Sequence, residues 1–123
     1  MLKMLNLTQH NSTPDQTGVV EPTPERKEKI QELLTFDAPP TAEEMSYRAH
    51  ELARIVLSSG EDAAMIGGAP FFMSTLESVL SGHGITPFYA FSKRESNERI
   101  VDGKTVKTAV FVHIGYVRAY LGK

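Results

Sequence analysis

The feature that most narrows the fold is a junction near the middle of the chain. Ala63-Ala64-Met65-Ile66 is a continuous apolar run, as expected of a strand buried on both faces. Gly67-Gly68-Ala69-Pro70 follows, a tight turn of minimal side chains. Phe72, Leu76, Val79 and Leu80 then recur at helical spacing and predict a helix over about 70–82. Gly82 and Gly84 close it, and Ile85-Thr86-Pro87-Phe88-Tyr89-Ala90-Phe91 reads as the next strand. A strand, a helix and a strand in this order pair in parallel through a right-handed crossover.

The flanking segments extend the pattern. Met4-Leu5-Asn6-Leu7-Thr8 reads as a first strand running into polar Gln9, His10 and Asn11. Pro14, Gly18, Pro22 and Pro24 break regular structure after it, so 11–24 reads as a loop. Thr23 is a good N-cap with Pro24 at the first helical position, and Ile30, Leu33 and Leu34 give a short helix its apolar stripe. Thr41-Ala42-Glu43-Glu44 is a capping box, followed by Met45, Ala49, Leu52 and Val56, which predicts a helix over about 42–59 ending near Gly60. Near the C-terminus, segments 95–101 and 105–117 flank Asp102-Gly103, the strongest short hairpin signal. Val106, Thr108, Val110, Val112 and Ile114 alternate with Lys107, Ala109, Phe111 and His113, which assigns the two sets to opposite faces. The expected architecture is a single α/β domain over 1–123, a Rossmann-like, mainly parallel sheet flanked by helices and closed by a β-hairpin.

Composition excludes several function classes. The 123 residues contain no cysteine, which removes disulfides, thiolate metal sites and a cysteine nucleophile. No H-x-x-x-H or H-E-x-x-H spacing occurs, so no metal and no cofactor is expected. No G-x-S-x-G elbow occurs, which removes the usual hydrolase reading. No apolar run reaches the ~18 residues of a membrane span. The N-terminus lacks the pattern of a signal peptide, so a cytoplasmic location is expected. The net charge of −2 hides a split: residues 1–92 carry six Lys or Arg against twelve Asp or Glu, and residues 93–123 carry seven against three. A basic quarter this small argues against duplex DNA and suits a compact anion.

In an open parallel sheet, ligands sit beyond the carboxyl ends of the strands. Three such ends are expected to converge: Thr8-Gln9-His10, Gly67-Gly68-Ala69 and Ser92-Lys93-Arg94. The glycine turn offers backbone N–H groups and a helix N-terminus to an anion, or simply makes the turn. Ser92, Lys93 and Arg94 suit phosphate oxygens, or form a solvated basic turn. Among the histidines, His50 reads as surface and His83 as a helix-end residue, whereas His10 and His113 are placed for acid–base work. A hydrogen-bonded structural role is the other reading for His113.

The run from Gly84 to Arg94, the Asp102-Gly103-Lys104-Thr105-Val106 tip, and Val110-Phe111-Val112-His113-Ile114-Gly115-Tyr116-Val117-Arg118 together resemble the C-terminal half of a known family. It is that of the small stand-alone CRISPR-associated proteins of CARF-like fold regarded as type III ring nucleases. The good match covers about 84–118; elsewhere it extends to element order, with Thr8-Gln9-His10 and Gly67-Gly68 also similar. The resemblance implies a homodimer in antiviral defence that binds cyclic oligoadenylate, cyclic tetra-adenylate foremost. It implies metal-independent cleavage, in which a ribose 2′-OH attacks the adjacent phosphate. Lys93, Arg94, His10 and His113 would then be the catalytic candidates. Thr8, Gln9, Gly67, Gly68, Ala69 and Ser92 would be the ligand-binding ones. The alternatives are a non-catalytic sensor or sequestering, anti-defence protein of the same fold, and an unrelated small α/β dimer that takes another phosphorylated metabolite or a partner protein.

Overall fold

The computed structural model describes residues 2–119. The strands are β1 (Met4–Leu7), β2 (Val19–Val20), β3 (Ala63–Ile66), β4 (Thr86–Val101) and β5 (Lys104–Arg118). The helices are α1 (Pro24–Leu34), α2 (Ala42–Ser58) and α3 (Pro70–Gly82). The five strands form one mixed sheet in the order β2-β1-β3-β4-β5. β1 pairs in parallel with β2 and β3, and β3 pairs in parallel with β4. β4 and β5 form the antiparallel hairpin.

The helices begin where the sequence places their caps. The Thr23 side chain accepts from Arg26 N and the Thr41 side chain from Glu44 N, each satisfying one otherwise unbonded N–H of the first turn. Alternation along the strands then separates two faces. Leu5, Leu7, Ala64 and Ile66 join Ile30, Leu33, Leu52, Val56, Phe72 and Leu76 in one buried cluster, so α1, α2 and α3 all pack on the same face of the sheet. Met4, Ala63 and Met65 face the other way and pack with Val19, Phe88 and Tyr116. The loop between β1 and β2 closes over this second face: the Tyr116 hydroxyl donates to the carbonyl of Thr17 at 3.0 Å.

Three expectations need correction. The helices do not flank the sheet; they occupy one face and leave the other to a loop. Residues 11–24 are not wholly a loop, because Val19–Val20 adds a parallel edge strand to β1. It is registered by Gly18, whose carbonyl accepts from Met4 N at 2.9 Å. Gly18 has φ +83°, and a Cβ there would meet the carbonyl oxygen of Leu2 at 2.5 Å, so only glycine fits. Finally, β4 does not stop near Phe91. It continues through Ser92-Lys93-Arg94 to Val101 as one strand of 16 residues.

The hairpin turn is as expected. Asp102 (φ 52°) and Gly103 (φ 75°) both adopt positive φ, as a two-residue primed turn requires. The ladder shifts register between Phe91 and Ser92, leaving Ile114 without a partner between Gly115 and His113. That bulge removes Ile114 from the valine row of β5. It also places His113 on the same face as Tyr116, with ring centroids 4.8 Å apart.

Candidate functional site

The connections from β1 and β3 leave in opposite lateral directions, β1 to β2 and β3 to β4. Adjacent strands whose connections diverge leave a crevice beyond their carboxyl ends. A cleft of about 260 Å³ lies there, lined by Thr8, Gln9, His10, Gly67, Gly68 and Ala90 among others. Two of the three expected segments therefore converge, and they do so at the divergence of the chain path.

The first wall is the loop after β1, and a buried asparagine builds it. Asn6 is fully buried. Its Nδ2 donates to the carbonyl of His10 at 2.7 Å and to Glu21 Oε2 at 2.8 Å. Its Oδ1 accepts from Thr8 N at 3.0 Å and from the Thr8 hydroxyl at 2.7 Å. From α1, Lys27 Nζ donates to the carbonyls of Thr8 and His10 at 3.3 and 3.0 Å, and Gln31 donates to that of Gln9 at 3.4 Å. Three successive loop carbonyls are thus engaged by helix side chains. The Gln9 amide reaches Thr35 Oγ1 at 2.9 Å. Burial alone would raise the Glu21 carboxyl. Hydrogen bonds from Asn6 and Ser12, together with the Lys27 ammonium, outweigh burial and hold it below its ordinary value.

The second wall is the glycine turn. Gly68 has φ +153°, a region side chains disfavour, and a Cβ there would press on Met73 Cε at 3.4 Å. Gly67 is different: a Cβ would meet only Thr8 Cγ2, at an ordinary 3.7 Å, so its bareness keeps the cleft open rather than relieving strain. Ala69 is the N-cap of α3 and supplies no side-chain acceptor, unlike Thr23 and Thr41. It does not line the cleft.

The third expected segment does not arrive. Ser92, Lys93 and Arg94 lie within β4 and are not part of the cleft wall. Alternation sends Lys93 to one face and Arg94 to the other. Arg94 shares the face of Ala90, about 13 Å further along the strand at ~3.3 Å per residue. His113 also lies outside the cleft, opposite Ser92. Its Nδ1 is buried and has no hydrogen-bond partner among the described residues, so the satisfied structural role is not what the side chain shows. His50 and His83 fit their readings: His50 is exposed, and His83 is the C-cap of α3. Their rings meet edge-on at 5.3 Å. Among the described residues no cluster of three His, Asp or Glu side chains suits a metal ion, and no helix is long and apolar enough to cross a membrane.

Sequence reasoning missed Asn6, Glu21 and Lys27. Only Asn6 carried a signal, a lone polar residue inside an apolar strand that ends at the site. Fold and cleft together define an α/β protein with a crevice at the carboxyl ends of two parallel strands. Residues 2–117 match the Uncharacterized protein MJ1673 family, and the chain belongs to it. No curated protein and no solved structure matches it significantly.

Proposed function

We propose that the cleft binds cyclic oligoadenylate, and that the chain is a CARF-like, Rossmann-like ring nuclease of the cytoplasm. The observation that supports this reading best is the position of the cleft, at the divergence of β1 and β3, with Gly67 and Gly68 on one wall and Thr8, Gln9 and His10 on the other. Bare backbone beside a helix N-terminus suits a phosphate. Neutral polar groups opposite it suit a ribose and a base. At about 260 Å³, the cleft lies below the usual range of small-molecule sites, roughly 300–1,000 Å³. It accommodates part of a cyclic tetra-adenylate, with the rest of the ring outside it.

In this reading the 2′-oxygen of one ribose attacks the adjacent phosphorus, and the bond to the 5′-oxygen of the next nucleotide breaks. The products are a 2′,3′-cyclic phosphate and a 5′-hydroxyl, and the proton lost by the 2′-OH ends on the 5′-oxygen. Among the described residues His10 is the one titratable side chain on the cleft wall, and its imidazole would carry that proton. The glycine-turn amides would hold the phosphorane charge. Arg94, on the cleft face of β4, is the cation placed to meet a phosphate beyond the rim; Lys93 faces away.

A second reading, a sensor or sequestering protein that binds the ring uncut, is favoured by the same wall, which presents a single titratable group and no cation. Labelled cyclic tetra- and hexa-adenylate, incubated with the protein in chelator and resolved by chromatography, separates the two. Linear adenylates ending in cyclic phosphate, lost in His10→Ala, support cleavage. Intact rings at high protein concentration with clear binding support the sensor, and intact rings without binding remove both.

A further inference from the structure

Beyond Phe91, β4 and β5 leave the body of the protein. Ten residue pairs, from Ser92–His113 to Val101–Lys104, form a two-stranded ribbon about 30 Å long at ~3.3 Å per residue. Every β4 residue from Phe91 to Val101 and every β5 residue from Lys104 to Phe111 is exposed. On β5, Val106 and Val110 are 37% and 44% accessible and belong to no core cluster of the chain. A lone ribbon of two strands is marginally stable at best in water; it needs a packed face or a third strand.

Residues directly opposite one another share a face. One face sets Glu95, Asn97 and Arg99 on β4 beside Val110, Thr108 and Val106 on β5. Its chemistry is symmetric about the Asn97–Thr108 pair: an acid and a valine two residues to one side, a base and a valine two residues to the other. Glu95 and Arg99 are about 13 Å apart along one strand, too far to pair with each other. Neither has an ion-pair partner among the described residues. On the opposite face Glu98 already pairs with Lys107 across the strands at 3.6 Å, so its acid is answered within the chain.

We infer that the valine-bearing face of this arm docks on the same face of a second copy, about a two-fold axis through Asn97 and Thr108. The ribbons stack with strands antiparallel, β4 over β4 and β5 over β5. Glu95 then meets the partner's Arg99, and Val110 meets the partner's Val106. The single operation yields two ion pairs and two valine pairs flanking the paired threonines, the self-complementarity that a two-fold interface demands. The interface stands on strand register and charge and needs no ligand. The two-fold sets the Ala90 walls of the two clefts about 46 Å apart along the strands at ~3.3 Å per residue, so each cleft stays separate in the dimer.

The test is the mass of the full chain by sedimentation and light scattering over a concentration series. The wild-type chain is expected to be a dimer at micromolar concentration. Glu95→Lys opposes like charges to the partner's Arg99, and Arg99→Glu opposes them to the partner's Glu95. Each is expected to weaken the dimer about tenfold or more. Combining both substitutions reverses the signs and is expected to restore the wild-type dissociation constant to within about threefold. Circular dichroism and urea midpoints confirm that each variant is folded. A wild-type monomer, a dimer that neither single substitution weakens, or a loss that the double substitution does not repair overturns the proposal. Failure to bind a ring with the dimer intact contradicts the ligand reading alone.

Discussion

At the scale of single residues, the cleft depends on groups that do not line it. Asn6 makes four hydrogen bonds from a fully buried position, and each removed bond leaves a buried group unsatisfied. Asn6→Ala is expected to cost about 2–3 kcal/mol, measured by urea denaturation, and to loosen the Thr8–His10 loop. Glu21 makes the same loop sensitive to acid. Hydrogen bonds from Asn6 and Ser12 and the Lys27 ammonium hold its carboxyl below its ordinary value in the folded chain. Its contribution is therefore complete above that value and disappears as pH falls through the lower folded value. Stability followed between pH 7 and pH 3 is expected to decline at the acid end, with a shallower decline in Glu21→Gln. An identical slope in that variant would show that the carboxylate does not carry the effect. None of this was legible in the sequence beyond Asn6 itself. Glu21 lies in a proline-broken stretch and Lys27 in a helix rich in charge, where neither stands out.

At the scale of elements, periodicity was a good guide wherever one face of an element is buried. α1, α2, α3, β3 and the Asp102-Gly103 turn lie where apolar spacing and cap chemistry place them. The misreadings fall where that signal is missing. Val19–Val20 is too short to alternate. Ser92-Lys93-Arg94 contains no apolar residue, so it reads as a basic turn between two strands, yet pairing with His113, Val112 and Phe111 holds it in the ladder. That one misreading moved Lys93 and Arg94 from a strand end into a strand interior, on opposite faces. It also concealed the bulge at Ile114, which reorients His113 toward Tyr116. The arm should behave as an element separable from the body. Gly103→Ala places a side chain at φ 75° and is expected to destabilise the arm by about 1 kcal/mol. Amide exchange would read this as faster exchange over residues 92–113, with β1 and β3 unchanged. Equal acceleration in β1 and β3 would mean that arm and body unfold together.

At the scale of the whole molecule, a compact two-layer body carries the cleft and a long ribbon projects from it. The acidic balance of residues 1–92 and the basic balance of residues 93–123 divide along nearly the same line, since the ribbon begins at Ser92. The basic quarter is therefore mostly arm, and in a single copy it lies away from the glycine turn. A second copy is what would let arm cations and cleft act on one ligand. Calorimetric titration of cyclic tetra-adenylate into the wild-type chain and into Gly67→Val tests the role of the cleft most directly. The substitution fills the cleft at a position where a Cβ meets only Thr8 Cγ2 at 3.7 Å, so the fold should persist. The expected result is binding of the ring by the wild-type chain and no binding by the folded variant. No binding by the wild-type chain, or equal binding by both proteins, would contradict the assignment of the cleft.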